Sequence, residues 1–155
     1  MRRPRTNNEI KKWLQLHGLK VKIKKVRNNT KVYWYKNGYW ELLFDGEINT
    51  KDSILCYFIG RGVPVDWNSE RKEPNYLIEV YEWLHRQGQQ NNFCIYEDIG
   101  HASVGMGLHM RGIMKVVNIK AKHIYGFHKQ IPCNYIYGGV VVQSLIDLGV
   151  KPDWI

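Results

Sequence analysis

Residues 97–128 gather the side chains best suited to catalysis. Four of the six histidines, His101, His109, His123 and His128, follow Glu97 and Asp98. Gly100, Gly105, Gly107, Gly112 and Gly126 punctuate the stretch and let a backbone come close to a ligand. An imidazole titrates near neutral pH, so two of them can divide acid and base duties. With Lys115 or Lys120 at hand, His101 and His109 could cleave RNA without a metal. One would take the 2′-hydroxyl proton and the other would protonate the leaving oxygen. Alternatively, Asp98, His101 and His109 could hold a divalent metal for hydrolysis. Neither Asp98-x-x-His101 nor the seven residues between His101 and His109 fits a known ligand spacing, so no metal ligand is assigned and the cofactor stays open. Structural histidines on a Gly-rich pair of strands are the competing reading.

The run His101-Ala102-Ser103-Val104-Gly105-Met106-Gly107 resembles the His-bearing strand of papain-like amidases of the NlpC/P60 group, over about ten residues. The resemblance implies a cysteine hydrolase with His101 beside a nucleophilic thiol, and Cys56 and Cys133 allow either chain order. An activated thiolate wants a helix terminus and a paired imidazole. Cys56 instead falls inside a predicted helix, and Cys133 stands several residues ahead of the last one. The cysteine hydrolase is therefore the alternative enzyme class. Cys56, Cys94 and Cys133 are odd in number and lack a C-x-x-C pair, which argues against a disulfide framework and a zinc knuckle.

The second chemistry is electrostatic. Residues 1–36 hold twelve Lys or Arg against one acid, Glu9, a net +11. Residues 37–155 hold eleven bases and thirteen acids, a net −2. A near-neutral bulk with one cationic end suits a polyanionic partner. Nucleic acid comes first, an anionic membrane surface or an acidic protein next. No apolar run approaches the ~20 residues of a membrane span, and the start Met1-Arg2-Arg3-Pro4-Arg5 lacks the apolar stretch of a secretory signal. A cytoplasmic location is the expectation.

The elements that must carry these groups can be read from pattern. Length and composition suit a single domain over 1–155, with 1–5 as a flexible basic arm. Thr6-Asn7-Asn8-Glu9 has capping-box spacing, and Ile10, Trp13, Leu14 and His17 recur at helical intervals before Gly18, giving a helix over about 8–17. Three strands follow, over 20–27, 31–36 and 39–44. Asn37-Gly38 forms a two-residue hairpin turn between the last two, and Asn28-Asn29 is expected to turn the first pair. Asp45-Gly46 is expected to end the sheet. Thr50 can cap a helix that stops at Gly60, and residues 63–74 form a loop. A helix over 75–87 turns Leu77, Val80, Tyr81 and Leu84 inward. Strands at 93–96 and 114–119 and a helix over 140–148 complete an α+β fold: an N-terminal helix, a three-stranded antiparallel meander, helices, then a second small β region with a C-terminal helix.

Register turns the meander into a functional expectation, because directly paired residues share a face. Turns at Asn28-Asn29 and Asn37-Gly38 pair Lys24 with Tyr33, Lys22 with Tyr35, and Tyr35 with Trp40. One face then carries Lys22, Lys24, Tyr33, Tyr35, Trp40 and Leu42, with Phe44 further along. The other carries Val21, Ile23, Val32, Trp34, Tyr39, Glu41 and Leu43. Ammonium groups for phosphates and flat rings for bases suit RNA or single-stranded DNA. Arg2, Arg3 and Arg5 could reach the backbone as an arm. The expected function is nucleic-acid binding by Arg2, Arg3, Arg5, Lys22, Lys24, Tyr33, Tyr35 and Trp40. Nuclease chemistry by Glu97, Asp98, His101, His109 and Lys115 is the optional addition. An interaction protein gripping an acidic partner is a further alternative.

Overall fold

A computed structural model describes residues 2–47, 51–90, 92–98, 101–106, 128–132 and 139–155. The chain is mixed α+β. Helix α1 spans Asn7–Leu16. Strands β1 (Val21–Val26), β2 (Asn29–Lys36) and β3 (Tyr39–Glu47) follow as an antiparallel meander in the order β1-β2-β3. Then come α2 (Lys51–Ile59) and α3 (Leu77–Arg86). A second sheet joins β4 (Phe93–Asp98), β5 (His101–Met106) and β6 (His128–Pro132), and α4 spans Gly139–Asp147. No helix among the described residues is long and apolar enough to cross a membrane.

Local chemistry accounts for most boundaries. Thr6 caps α1 by accepting from the Glu9 amide at 3.2 Å. The Glu9 carboxylate does not simply close a capping box: its Oε1 takes the Thr6 hydroxyl at 3.1 Å and Arg2 Nη2 at 3.3 Å. Gly18 follows the helix at φ 80°, a left-handed conformation that disfavours any side chain with a Cβ. Asn37 and Gly38, at φ 55° and 90°, make the tight turn between β2 and β3.

The first turn departs from expectation. Val26 pairs with Asn29, so Arg27-Asn28 form the loop, with Arg27 at φ 59°. The register therefore moves by two residues: Lys22 lies opposite Tyr33 and Lys24 opposite Lys31. A shift of two preserves which face each side chain occupies, whereas a shift of one would have exchanged them. The core explains the choice, since Val21 opposite Trp34 and Ile23 opposite Val32 place four apolar residues on the inner face. The sheet also continues through Asp45 and Gly46 to Glu47. A register irregularity lies where Tyr33 pairs with Leu42 but Val32 pairs with Phe44, leaving Leu43 as the extra residue of a bulge. Phe44 consequently pairs with a residue of the inner face, not with the basic one.

Behind the meander, one apolar cluster takes Ile10, Trp13 and Leu14 from α1, Val21, Val32 and Trp34 from the sheet, and Ile54, Leu55 and Phe58 from α2. It continues through Leu77, Val80, Trp83 and Leu84 of α3 to Val142 and Leu145 of α4 and Val150 beyond it. Within it lie two carboxylates that the helical pattern did not mark, Glu79 and Glu82, the latter only 4% exposed. Buried carboxylates require partners, and both have them. Glu82 receives Arg3 through Nε at 3.1 Å and Nη2 at 2.5 Å, and Trp67 Nε1 at 2.5 Å. Glu79 accepts the Asn75 and Tyr76 amides at 3.2 and 3.1 Å and Lys72 Nζ at 2.7 Å. At the far end of α3, Arg86 grips Asp153 with two bonds of 2.7 and 3.1 Å. The N-terminal segment is thus docked: Arg3 is tied to α3 and Pro4 is buried.

Candidate nucleic-acid interface

The outer face of the meander is built from alternation. Lys20, Lys22 and Lys24 project from the β1 edge on the same side as Tyr33 and Tyr35 of β2 and Trp40 and Leu42 of β3, as the pairs Lys22–Tyr33, Tyr33–Leu42 and Tyr35–Trp40 require. The bond from the Tyr35 amide to the Lys20 carbonyl, 3.0 Å, extends the same register one step ahead of β1. Tyr35 is 41% and Leu42 48% exposed, so this face stands in solvent and is not roofed by a helix.

Three lysines of the face, Lys20, Lys22 and Lys24, lie over rings. Lys20 Nζ is 5.0 Å from the Tyr35 centroid and 5.8 Å from that of Trp40. Lys22 Nζ stands 4.2 Å above Trp40 and 5.8 Å from Tyr33. Lys24 Nζ lies 5.9 Å from Tyr33. Tyr35 and Trp40 meet edge to face at 5.2 Å. These are cation–π distances, in which an ammonium is held by the negative ring face without a counter-charge. Lys31, opposite Lys24, turns to Asp45 at 3.9 Å and closes the basic face at that end. Lys36 belongs to the inner side, where it covers Trp34 at 4.9 Å.

Among the sequence-predicted binding residues, the structure brings Lys22, Lys24, Tyr33, Tyr35 and Trp40 together. It adds Lys20, which the alternation at 20, 22 and 24 could have supplied. The arginines divide. Arg3 is committed to Glu82 and is not part of a free arm, because the buried carboxylate would be left unpaired without it. Arg5 is exposed, and Arg2 forms only a solvent-exposed pair with Glu9, an interaction worth little and easily exchanged. Arg2, Glu9 and Lys12 also border a cavity of about 580 Å³ along α1, lined further by Pro4, Trp13, Gln15 and Leu16. Its rim carries both signs of charge.

The histidine segment is described only in part. Strands β4 and β5 pair Asp98 with His101 and Glu97 with Ala102, so Asp98 and His101 occupy facing positions at the end of one hairpin. His109, Lys115, Lys120, His123, Cys133 and the strand expected at 114–119 lie outside the described residues. Among the described residues, no three His, Cys, Asp or Glu side chains cluster closely enough to hold a metal ion. Cys56 is buried in the middle of α2, away from the helix terminus that would activate a thiol. No family model matches the chain, and comparison with curated proteins and with solved structures finds no match.

Proposed function

We propose that this protein binds single-stranded nucleic acid, RNA or single-stranded DNA, on the outer face of its N-terminal sheet. The observation that carries the reading is the set of three lysines, two on β1 and one just ahead of it, lying over three exposed or half-buried rings on the neighbouring strands. An acidic protein would engage the ammoniums and leave the rings unused; a single strand uses both. Magnitudes favour the exchange. A lysine leaving a ring at an exposed site gives up about 0.5–1 kcal/mol, whereas a base stacking on that ring returns about 1–3 kcal/mol. The displaced ammonium then meets a phosphate. The reading sets the chain to work where such strands are accessible, in the cytoplasm.

Fluorescence anisotropy with labelled single-stranded oligonucleotides across a salt series tests this. Non-specific affinity of about 1–100 μM at physiological salt, falling steeply as salt rises, is expected. Absence of binding at low salt, or a flat salt response, would overturn it.

The facing positions of Asp98 and His101 favour a second activity on the same strand. His101 would act as the general base or acid in attack of a ribose 2′-hydroxyl on the adjacent phosphate, with Asp98, His109 and Lys115 as its candidate partners, whereas Glu97, paired with Ala102, falls on the other face of the hairpin. RNA cleaved by the protein, with or without a chelator, but left intact by His101→Ala is the expected result. Intact RNA in all cases removes the nuclease and leaves the binding module.

A further inference from the structure

The face is not a uniform basic patch; its lysines flank its rings rung by rung. Two cross-strand pairs make two apolar floors, Tyr35 with Trp40 and Tyr33 with Leu42. Successive same-face positions on a strand stand about 6.7 Å apart, which sets the spacing of both the floors and the lysines. Lys20 reaches only the rings of the first floor, and Lys24 only the ring of the second. Lys22 reaches a ring of each. In register Lys20 lies level with the first floor, Lys22 with the second and Lys24 with Lys31, so the three lysines form a row along the β1 edge of the floors. Asp45, held to Lys31, lies across the sheet on the rung of Lys24.

In a stacked nucleic-acid strand, bases follow one another at about 3.4 Å along the axis. Floors at about twice that spacing cannot each receive a neighbouring base unless the two bases have separated. We infer that the sheet takes an extended, unstacked dinucleotide step, two bases on the two floors and three consecutive phosphates on Lys20, Lys22 and Lys24. The site then selects strands by how easily they unstack and not by base identity. Oligo-dT, whose bases stack weakly on each other, binds better than oligo-dA, and duplex is rejected because its bases are paired away from the floors. Lys31, neutralised by Asp45, takes no phosphate. This inference rests on the nucleic-acid reading above and adds footprint, strand geometry and preference to it.

The test measures the affinity of the whole chain for dT8, dA8 and a duplex of equal length across a salt series. For the wild type, the three phosphates contribute about 2 to the magnitude of the log–log salt slope, at roughly 0.7 each. Lys20→Gln, Lys22→Gln and Lys24→Gln each lower it by about 0.7, while Lys31→Gln leaves it unchanged. Tyr35→Leu and Trp40→Leu weaken dT8 roughly tenfold at every salt concentration without changing the slope. Thermal melting of each variant, expected close to wild type because all these side chains are partly or fully exposed, confirms that binding and not folding is being read. If dT8 binds but the three lysine variants keep the wild-type slope, or dA8 or duplex competes equally, the two-floor site is overturned while nucleic-acid binding stands. If no oligonucleotide binds at low salt, the interface reading itself falls.

Discussion

Two sets of cations in the molecule are satisfied in opposite ways. Behind the sheet, Arg3 and Arg86 meet the carboxylates of Glu82 and Asp153 through two bonds each, with Trp67, Ser69 and Gln87 completing the networks. In front, Lys20, Lys22 and Lys24 meet rings. A carboxylate fixes its partner by charge and geometry, and removing either leaves a desolvated ion. A ring face holds an ammonium weakly and without neutralising it, so the positive charge remains available to a polyanion. The same residue class thus acts as an anchor on one side and as an exchangeable contact on the other.

The contrast breaks most visibly at Glu82. Glu82→Ala should destabilise the fold by about 2–3 kcal/mol, because it leaves the buried Trp67 N–H and the half-buried Arg3 without their acceptor; urea unfolding measures it, and a change below about 1 kcal/mol would mean that the pair is not an anchor. Asp153→Asn comes next, at about 2 kcal/mol, since it weakens charge-assisted bonds from Arg86. By comparison, Lys22→Gln should change stability by only about 0.5–1 kcal/mol while lowering affinity for dT8 at low salt. A lysine variant that unfolds like Glu82→Ala would erase the distinction.

Acid titration sharpens the same contrast. The Arg86 hydrogen bond holds the Asp153 carboxyl below its ordinary range. Burial alone would raise that of Glu79, but Lys72 and the Asn75 and Tyr76 amides outweigh it and hold it low as well. Below the unfolded-state value of about 4, the unfolded chain binds more protons than the folded one. The stability these groups supply is therefore complete above that pH and is lost as pH falls through their lower folded values. Glu79→Gln or Asp153→Asn should each flatten the fall in melting temperature between about pH 4 and pH 2. An unchanged acid limb in both variants would show that other carboxylates carry it.

The elements most legible in the sequence are those specified by near neighbours. Asn37-Gly38, the Thr6 cap and the alternation of residues 20–44 give α1, the meander and its basic face, and Leu77, Val80, Tyr81 and Leu84 are all buried as their spacing predicts. The first turn was misplaced by one residue because Asn tolerates positive φ more readily than Arg, a local preference that the inner-face pairing of Val21 with Trp34 overrides. The Leu43 bulge carries no glycine or proline to announce it. Burial of Glu79 and Glu82 was hidden for a different reason: the partner of Glu82 lies 79 residues away, and no periodicity within α3 records that. A turn at Asn28-Asn29 would set Lys20 opposite Asn37 in the next turn, whereas the observed register sets it opposite Tyr35. For the histidine segment, the fold adds the facing positions of Asp98 and His101 and the pairing of His128 with Gly105.

The bond between Arg3 and Glu82 also orders events in time. During synthesis at 5–20 residues per second, the carboxylate follows its arginine by roughly 4–16 s. The meander is local in sequence and its turns can close early, but α1 cannot bury Ile10, Trp13 and Leu14 fully until α2 and α3 have emerged. The residues around Arg3 are thus made before α3 yet settle only after it, so a bulky group placed close to Arg3 would interfere with a late docking step more than with the formation of the sheet.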